Sequence, residues 1–84
     1  MILLKFSASW CSPCAQLTKL MQDVDLTGIE LINVDADTDA NTAKQYNVRA
    51  IPTLILLDST GEEIKRKSGG FTVSELNKFL SVWR

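Results

Sequence analysis

Cys11 and Cys14 are the only cysteines of the chain, and they stand two residues apart just after the apolar run Ile2-Leu3-Leu4-Lys5-Phe6. A strand that ends there and a helix that begins there would seat Cys11 at a helix N-terminus and Cys14 one turn further in. Such an arrangement gives a reactive thiol with a second thiol in reach. The chain contains no histidine, which excludes a Cys–His nucleophile pair and any site with imidazole ligands. Chemistry at this site must come from two thiols, carboxylates, amines and backbone dipoles.

The length of 84 residues predicts one domain spanning 1–84. Chains this short often need disulfides or metals, but 45% of the residues are hydrophobic, enough for a core. The formal net charge is −1, and the charged residues are scattered along the chain. That pattern predicts neither a nucleic-acid footprint nor a basic membrane-binding face. The apolar runs are far too short to span a bilayer. The N-terminus shows no basic leader, long apolar stretch or small-residue cleavage site, so the expectation is no signal peptide and a cytoplasmic address. There, a Cys-x-x-Cys pair is redox-active or metal-binding more often than structural.

Residues 2–7 are expected to form a buried strand with no element before it. Residues 11–25 are expected to form a helix, with Leu17, Leu20, Met21 and Val24 on one apolar stripe. Pro13 falls in its first turn, where a missing N–H costs little, and Thr27-Gly28 is expected to end it. Residues 29–34 form a second strand, parallel to the first through a βαβ crossover. A polar joint from Asp35 to Asp39 leads to a short helix, about 40–46, capped by an Asp. After a loop over 47–50, residues 53–57 form a third strand. A turn at 58–61 leads to a charged return strand, 62–67, with Ile64 its one apolar residue, as suits a protected sheet edge.

Ser68-Gly69-Gly70 breaks the pattern, and Thr72-Val73-Ser74-Glu75 is a capping box. The closing helix carries Val73, Leu76, Phe79, Leu80 and Trp83 on one face. The order is β-α-β-α-β-β-α. Three helices on the two faces of a four-stranded mixed sheet would bury both sides of Ile2–Leu4 and Leu54–Leu57, whose apolar runs are continuous.

The thiolate, not the thiol, attacks disulfides. Unpaired N–H groups at a helix start lower a thiol pKa. Cys11 is placed to be the nucleophile, and Cys14 to resolve the mixed disulfide and leave Cys11–Cys14 oxidised. Pro13 stiffens the intervening loop, and Trp10 offers an apolar platform. The competing readings are two buried cysteines serving as small hydrophobes, or half of a zinc or iron–sulfur site shared with a second chain. A site within one chain normally needs four ligands. A protein that keeps the fold and uses the cysteine loop only to dock partners is a further alternative.

Trp10-Cys11-Ser12-Pro13-Cys14 resembles the Trp-Cys-Gly-Pro-Cys of thioredoxins, and Ile51-Pro52-Thr53 matches their second signature. The match runs from Met1 to Arg84, without the extra N-terminal strand and helix of full-length members. The trimmed form, and the pair Gly69-Gly70, are closer to glutaredoxins. The resemblance implies a thioredoxin-like fold and a dithiol oxidoreductase that reduces protein disulfides as a monomer. Its group is the Cys11–Cys14 disulfide, with no bound cofactor and no metal. Electrons would come from NADPH through a thioredoxin-type reductase or, in the glutaredoxin alternative, from glutathione. The resemblance also implies a cis bond before Pro52, which faces the cysteines, and a substrate surface of Trp10, Ser12, Pro13, Ile51 and Pro52. The plain reading of Pro52 is a strand start. Gly69 and Gly70 either admit a substrate closely or simply bend the chain.

Several positions depart from the family pattern. Lys5 stands where thioredoxins carry a buried acid. It either lies behind Cys14 and favours its thiolate by charge attraction, or runs its stem along the core while its amine reaches water or an acid. Ser12 replaces a Gly between the cysteines, which should alter the potential. Ser7 replaces a common aromatic, and Lys19 a helix-kinking Pro. Asp35, Asp37 and Asp39 resemble the start of a calcium loop, but Ala40 and Tyr46 stand at the positions that need Gly and Glu. These acids are therefore expected to cap a helix and solvate the joint.

Overall fold

The computed structural model describes residues 1–81, so Trp83 of the expected last stripe lies outside the described residues. The order is β1 (Ile2–Ser7), α1 (Ser12–Met21), β2 (Glu30–Asp35), α2 (Ala40–Gln45), β3 (Thr53–Leu57), β4 (Glu63–Ser68) and α3 (Val73–Leu80). One mixed sheet runs β2-β1-β3-β4. β1 and β2 are parallel, with Lys5 opposite Asn33, and β1 and β3 are antiparallel, with Lys5 opposite Leu54.

The two central strands are the two continuous apolar runs, and all five residues of β3 are buried. Alternation along β1 and β3 divides their side chains between two layers. Leu3, Leu54 and Leu56 pack with Leu17 and Met21 of α1 and Leu76, Phe79 and Leu80 of α3. Leu4, Phe6, Ile55 and Leu57 pack with Val34, and Ala43 and Tyr46 cover them from the α2 side. The Phe6 and Tyr46 rings lie 6.0 Å apart, tilted.

Helix α1 ends earlier than its apolar stripe suggests. The N–H groups of Gln22, Asp23 and Val24 donate to the carbonyls of Lys19, Leu20 and Met21, an i→i−3 tightening that closes the helix. Val24 still reaches the core from that turn, so a helical stripe and a loop residue give the same sequence pattern here. Gly28, with φ 82°, does not cap the helix. It serves the later turn into β2, a conformation that glycine adopts without steric cost.

Asp39 caps α2 through the Thr42 N–H. Thr72 and Glu75 form the reciprocal capping box of α3, and these hydrogen bonds hold the Glu75 carboxyl below its usual range. Val73, expected on the apolar face of α3, is 46% exposed; the buried stripe begins only at Leu76. β4 forms the charged edge, and its pairing with β3 shifts register between Leu56 and Leu57. The shift skips Ile64, which is left exposed, as a bulge does.

Candidate active site

The end of β1 delivers the chain to a tight turn in which the Cys11 N–H donates to the Ala8 carbonyl at 3.2 Å. Cys11 is the N-cap of α1, in extended conformation, and Pro13 lies in the first turn. The Cys11 sulfur occupies the place of a capping oxygen and accepts the Cys14 N–H at 3.2 Å. The two sulfurs are joined as a disulfide, across a Cα separation of 5.2 Å. Both are buried, in a small cluster with Ala8 and packed by Ile51, while Ser12 and Pro13 are exposed. This pair and the helix start form one unit: a negative charge developing on Cys11 would meet a backbone N–H already aimed at it.

Ile51, just before β3 in the sequence, closes the site from the other side. Its peptide bond to Pro52 is cis. Pro52 is fully buried, and its carbonyl accepts the Gly69 N–H at 2.9 Å. The Thr53 hydroxyl donates to the Ala50 carbonyl and pairs with the Ser68 hydroxyl. Ala50–Thr53 and Ser68–Gly69 are thereby tied together beside the cysteines. Gly69 has φ 92°, the left-handed region that favours glycine. A Cβ at Gly69 or Gly70 would meet nothing within 4 Å, so open space rather than crowding surrounds this turn.

Trp10 is 69% exposed, and its indole Nε1–H donates to Asp37 Oδ2 at 2.7 Å. A depression of about 260 Å³ lies between Trp10 and Ile51, floored by Ala36, Ala43, Val48 and Ala50 with Arg49 at its edge. Asp37 is a site neighbour that sequence reasoning did not name. It stands 27 residues from Trp10, and nothing local marks one acid of the Asp35–Asp39 joint as its partner. Asp35 meanwhile accepts the N–H groups of Asp37 and Thr38. Among the described residues no group of His, Cys, Asp or Glu is arranged to hold a metal.

Lys5 points away from the exposed side of the site. It is 5% exposed, and its amine donates to Thr18 Oγ1 and Asn33 Oδ1. Among the described residues no carboxylate pairs with it. Of the two ends expected for its amine, water or an acid, the acid is not found among the described residues: the neighbours on α1 and β2 that it meets are neutral. Burial lowers its pKa from the ordinary lysine value, because desolvation disfavours the charged form. The amine borders a cavity of about 170 Å³, also lined by Met21, Gln22 and Leu31. Thr18 in turn donates to the Cys14 carbonyl at 3.1 Å. Neither Thr18 nor Asn33 had been named from sequence. Their signals were present but weak: Thr18 is one turn after Cys14, and Asn33 is a polar residue inside a strand, in register with Lys5.

The thioredoxin family model matches residues 1–82. The chain belongs to the thioredoxin family. It is 36% identical over 83 residues to a thioredoxin of Chlamydia trachomatis, covering 96% of this chain and 80% of that one. It is 39% identical over 71 residues to thioredoxin H5 of Oryza sativa, covering 82% of this chain and 52% of that protein. Solved structures agree with the fold. Thioredoxin 1 of Thermosipho africanus superposes with a TM-score of 0.82 at 28% identity, covering 99% of this chain and 93% of that one. A Fasciola hepatica thioredoxin gives 0.85 at 28% identity, covering 95% and 77%.

The chain is thus a thiol–disulfide oxidoreductase whose redox group is its own cysteine pair rather than a prosthetic group. The thioredoxin reading prevails over the glutaredoxin one. Family membership implies disulfide-bearing protein substrates and a reductase that recharges the pair. No helix among the described residues is long and apolar enough to cross a membrane.

Proposed function

We propose that the chain acts as a single-domain, monomeric, cytoplasmic protein-disulfide reductase in which Cys11 attacks and Cys14 resolves. The hydrogen bond from the Cys14 N–H to the Cys11 sulfur carries this reading. It gives Cys11, and not Cys14, the helix-start donor that favours a thiolate. In the reduced protein the Cys11 thiolate attacks a substrate disulfide; a Cys11–substrate bond forms, and one substrate sulfur leaves as a thiolate that takes a proton. Cys14 then loses its proton and attacks the Cys11 sulfur. The second substrate sulfur leaves with the bonding electrons, and the Cys11–Cys14 disulfide closes. The substrate gains two electrons and the cysteine pair loses them.

Trp10, Ser12, Pro13, Ile51, Pro52, Gly69 and Gly70 form the surface on which an extended substrate lies. The apolar depression beside Trp10 and the open space at Gly69 and Gly70 support this assignment. An NADPH-dependent thioredoxin-type reductase supplies the electrons. Insulin reduction tests the roles: Cys11→Ser abolishes turnover, while Cys14→Ser traps a mixed disulfide through Cys11. Turnover retained by Cys11→Ser would overturn the assignment. A coupled assay with glutathione and its reductase, run beside one with a thioredoxin-type reductase, identifies the donor.

A further inference from the structure

Lys5 is a buried lysine with no carboxylate beside it among the described residues. In the closed disulfide its amine donates to two neutral acceptors there, Thr18 and Asn33. An uncompensated ammonium out of water is costly. The same amine is two hydrogen bonds from Cys14: Lys5 donates to the Thr18 hydroxyl, and that hydroxyl donates to the Cys14 carbonyl. Cys14 is itself buried, at 2% exposure. The charged groups around Lys5 are few among the described residues. β2 turns neutral Asn33 toward it in register, β3 places Leu54 beside it, and the lysine of α1, Lys19, is exposed. The titratable group linked to it is therefore Cys14, which carries no charge while the disulfide is closed.

We propose that Lys5 is a positioning residue whose ammonium, fixed by Thr18 and Asn33, favours a thiolate on Cys14 and thereby the open dithiol over the closed disulfide. The inference rests on the thiol-exchange reading and gives it a direction. When a donor dithiol opens the pair, its thiolate attacks Cys11 and Cys14 leaves with the bonding electrons as a thiolate. The donor's second thiolate then displaces Cys11, and the donor closes to its own disulfide. Cys14 thus acquires negative charge at the step where Lys5 gains its missing counter-charge. Cys14 is buried and Lys5 is 5% exposed, so water screens the attraction less than it would between two surface groups. By linkage the effect is mutual: Lys5 holds its proton more tightly in the reduced protein than in the oxidised one.

The test compares the wild type with Lys5→Met, Lys5→Arg and Asn33→Asp. It reads the Cys14 thiol titration from the NMR shift of its Cβ, and the cysteine equilibrium against a glutathione buffer. Lys5→Met should raise the Cys14 pKa by about one unit or more. At pH above the Cys14 pKa of both proteins it should also shift the equilibrium toward the disulfide about tenfold, which for two electrons is about 30 mV more reducing. Lys5→Arg keeps the charge and should restore much of both. Asn33→Asp keeps Lys5 in place but gives it a permanent anion, and should move Cys14 in the same direction as Lys5→Met. This variant decides the matter if Lys5→Met does not fold. A Cys14 titration unchanged in Lys5→Met, or in Asn33→Asp should that be the variant that folds, overturns the inference. Insulin reduction that persists alongside that result leaves the thiol-exchange reading intact; loss of Cys11 dependence is the separate outcome that would remove it.

Discussion

On one face of the sheet Leu4, Phe6, Val34, Ile55 and Leu57 form a layer with no charge in it. On the other, Leu3 and Leu17 are followed toward the cysteines by Lys5, whose amine bonds to α1 and β2. One strand supplies both layers, residue by residue. The difference shows where this small domain tolerates an electrostatic burden: only on the face shared with α1, the helix that carries the redox pair. The apolar layer under α2 carries Ala43, Val48 and Ile51, which also line the depression beside Trp10.

That contrast breaks most directly at Phe6. Phe6→Ala should cost about 3–5 kcal/mol, the usual penalty for emptying a buried aromatic site, while leaving the thiol titration of the surviving folded fraction unchanged. Urea denaturation and a thiol titration on the same sample check both halves. A shifted titration would mean that the two faces are not independent.

The opposite face should respond in the opposite sense. In the oxidised protein Lys5→Met should raise stability, by about 1 kcal/mol or more at neutral pH, because an apolar side chain of similar length replaces a buried charge. Burial lowers the folded-state pKa of Lys5 below the ordinary value of 10.5. Between those two values the unfolded chain binds the extra proton, so wild-type stability from this group rises with pH. The gap between Lys5→Met and wild type should therefore narrow as pH rises through the folded value toward 10.5. Denaturation curves at several alkaline pH values, with the disulfide intact, measure it. A gap independent of pH would assign the difference to packing.

The smallest effect sharpens the comparison from outside both layers. Thr72→Ala removes the N-cap of α3 and should cost about 1 kcal/mol. Glu75 is held below its usual pKa by Thr72 and by Lys67. Its contribution is complete above the unfolded carboxylate value and is lost as pH falls through the lowered folded one. The variant should thus lose part of the wild type's acid dependence, which thermal melts at mildly acidic pH would detect. Its cysteine chemistry should not change.

The sequence announced those parts of the fold that local rules decide. β1 and β3 are built on the apolar runs Ile2–Leu4 and Leu54–Leu57, so their places could be read directly. The Thr72–Glu75 box is complete within four residues, and it formed as expected. Where two conformations give one pattern, reading failed. Val24 lies on the helical stripe of α1 yet belongs to the turn after it. Val73 has helical spacing to Leu76 but sits in the first turn of α3, beyond the layer that α3 buries.

The site divides the same way. The cysteine spacing spoke for itself, and family resemblance supplied the cis bond before Pro52 that composition could not. The partners of Trp10 and Lys5 come from elements distant along the chain, and only the strand register and the helix placement bring them together. Of the acid or water expected for Lys5, no acid stands beside it among the described residues; the side chains of α1 and β2 that meet its amine are neutral.

This sheet, like any open one, presents edge strands to which a foreign strand could add. Its rim on one side is β4, where Glu63, Lys65, Arg66 and Lys67 replace the apolar residues of β3. A foreign strand laid there would have to bury those charges, and Ile64 has slipped out of register as well. The border thus disfavours a foreign strand that would otherwise stack onto the sheet and aggregate with it.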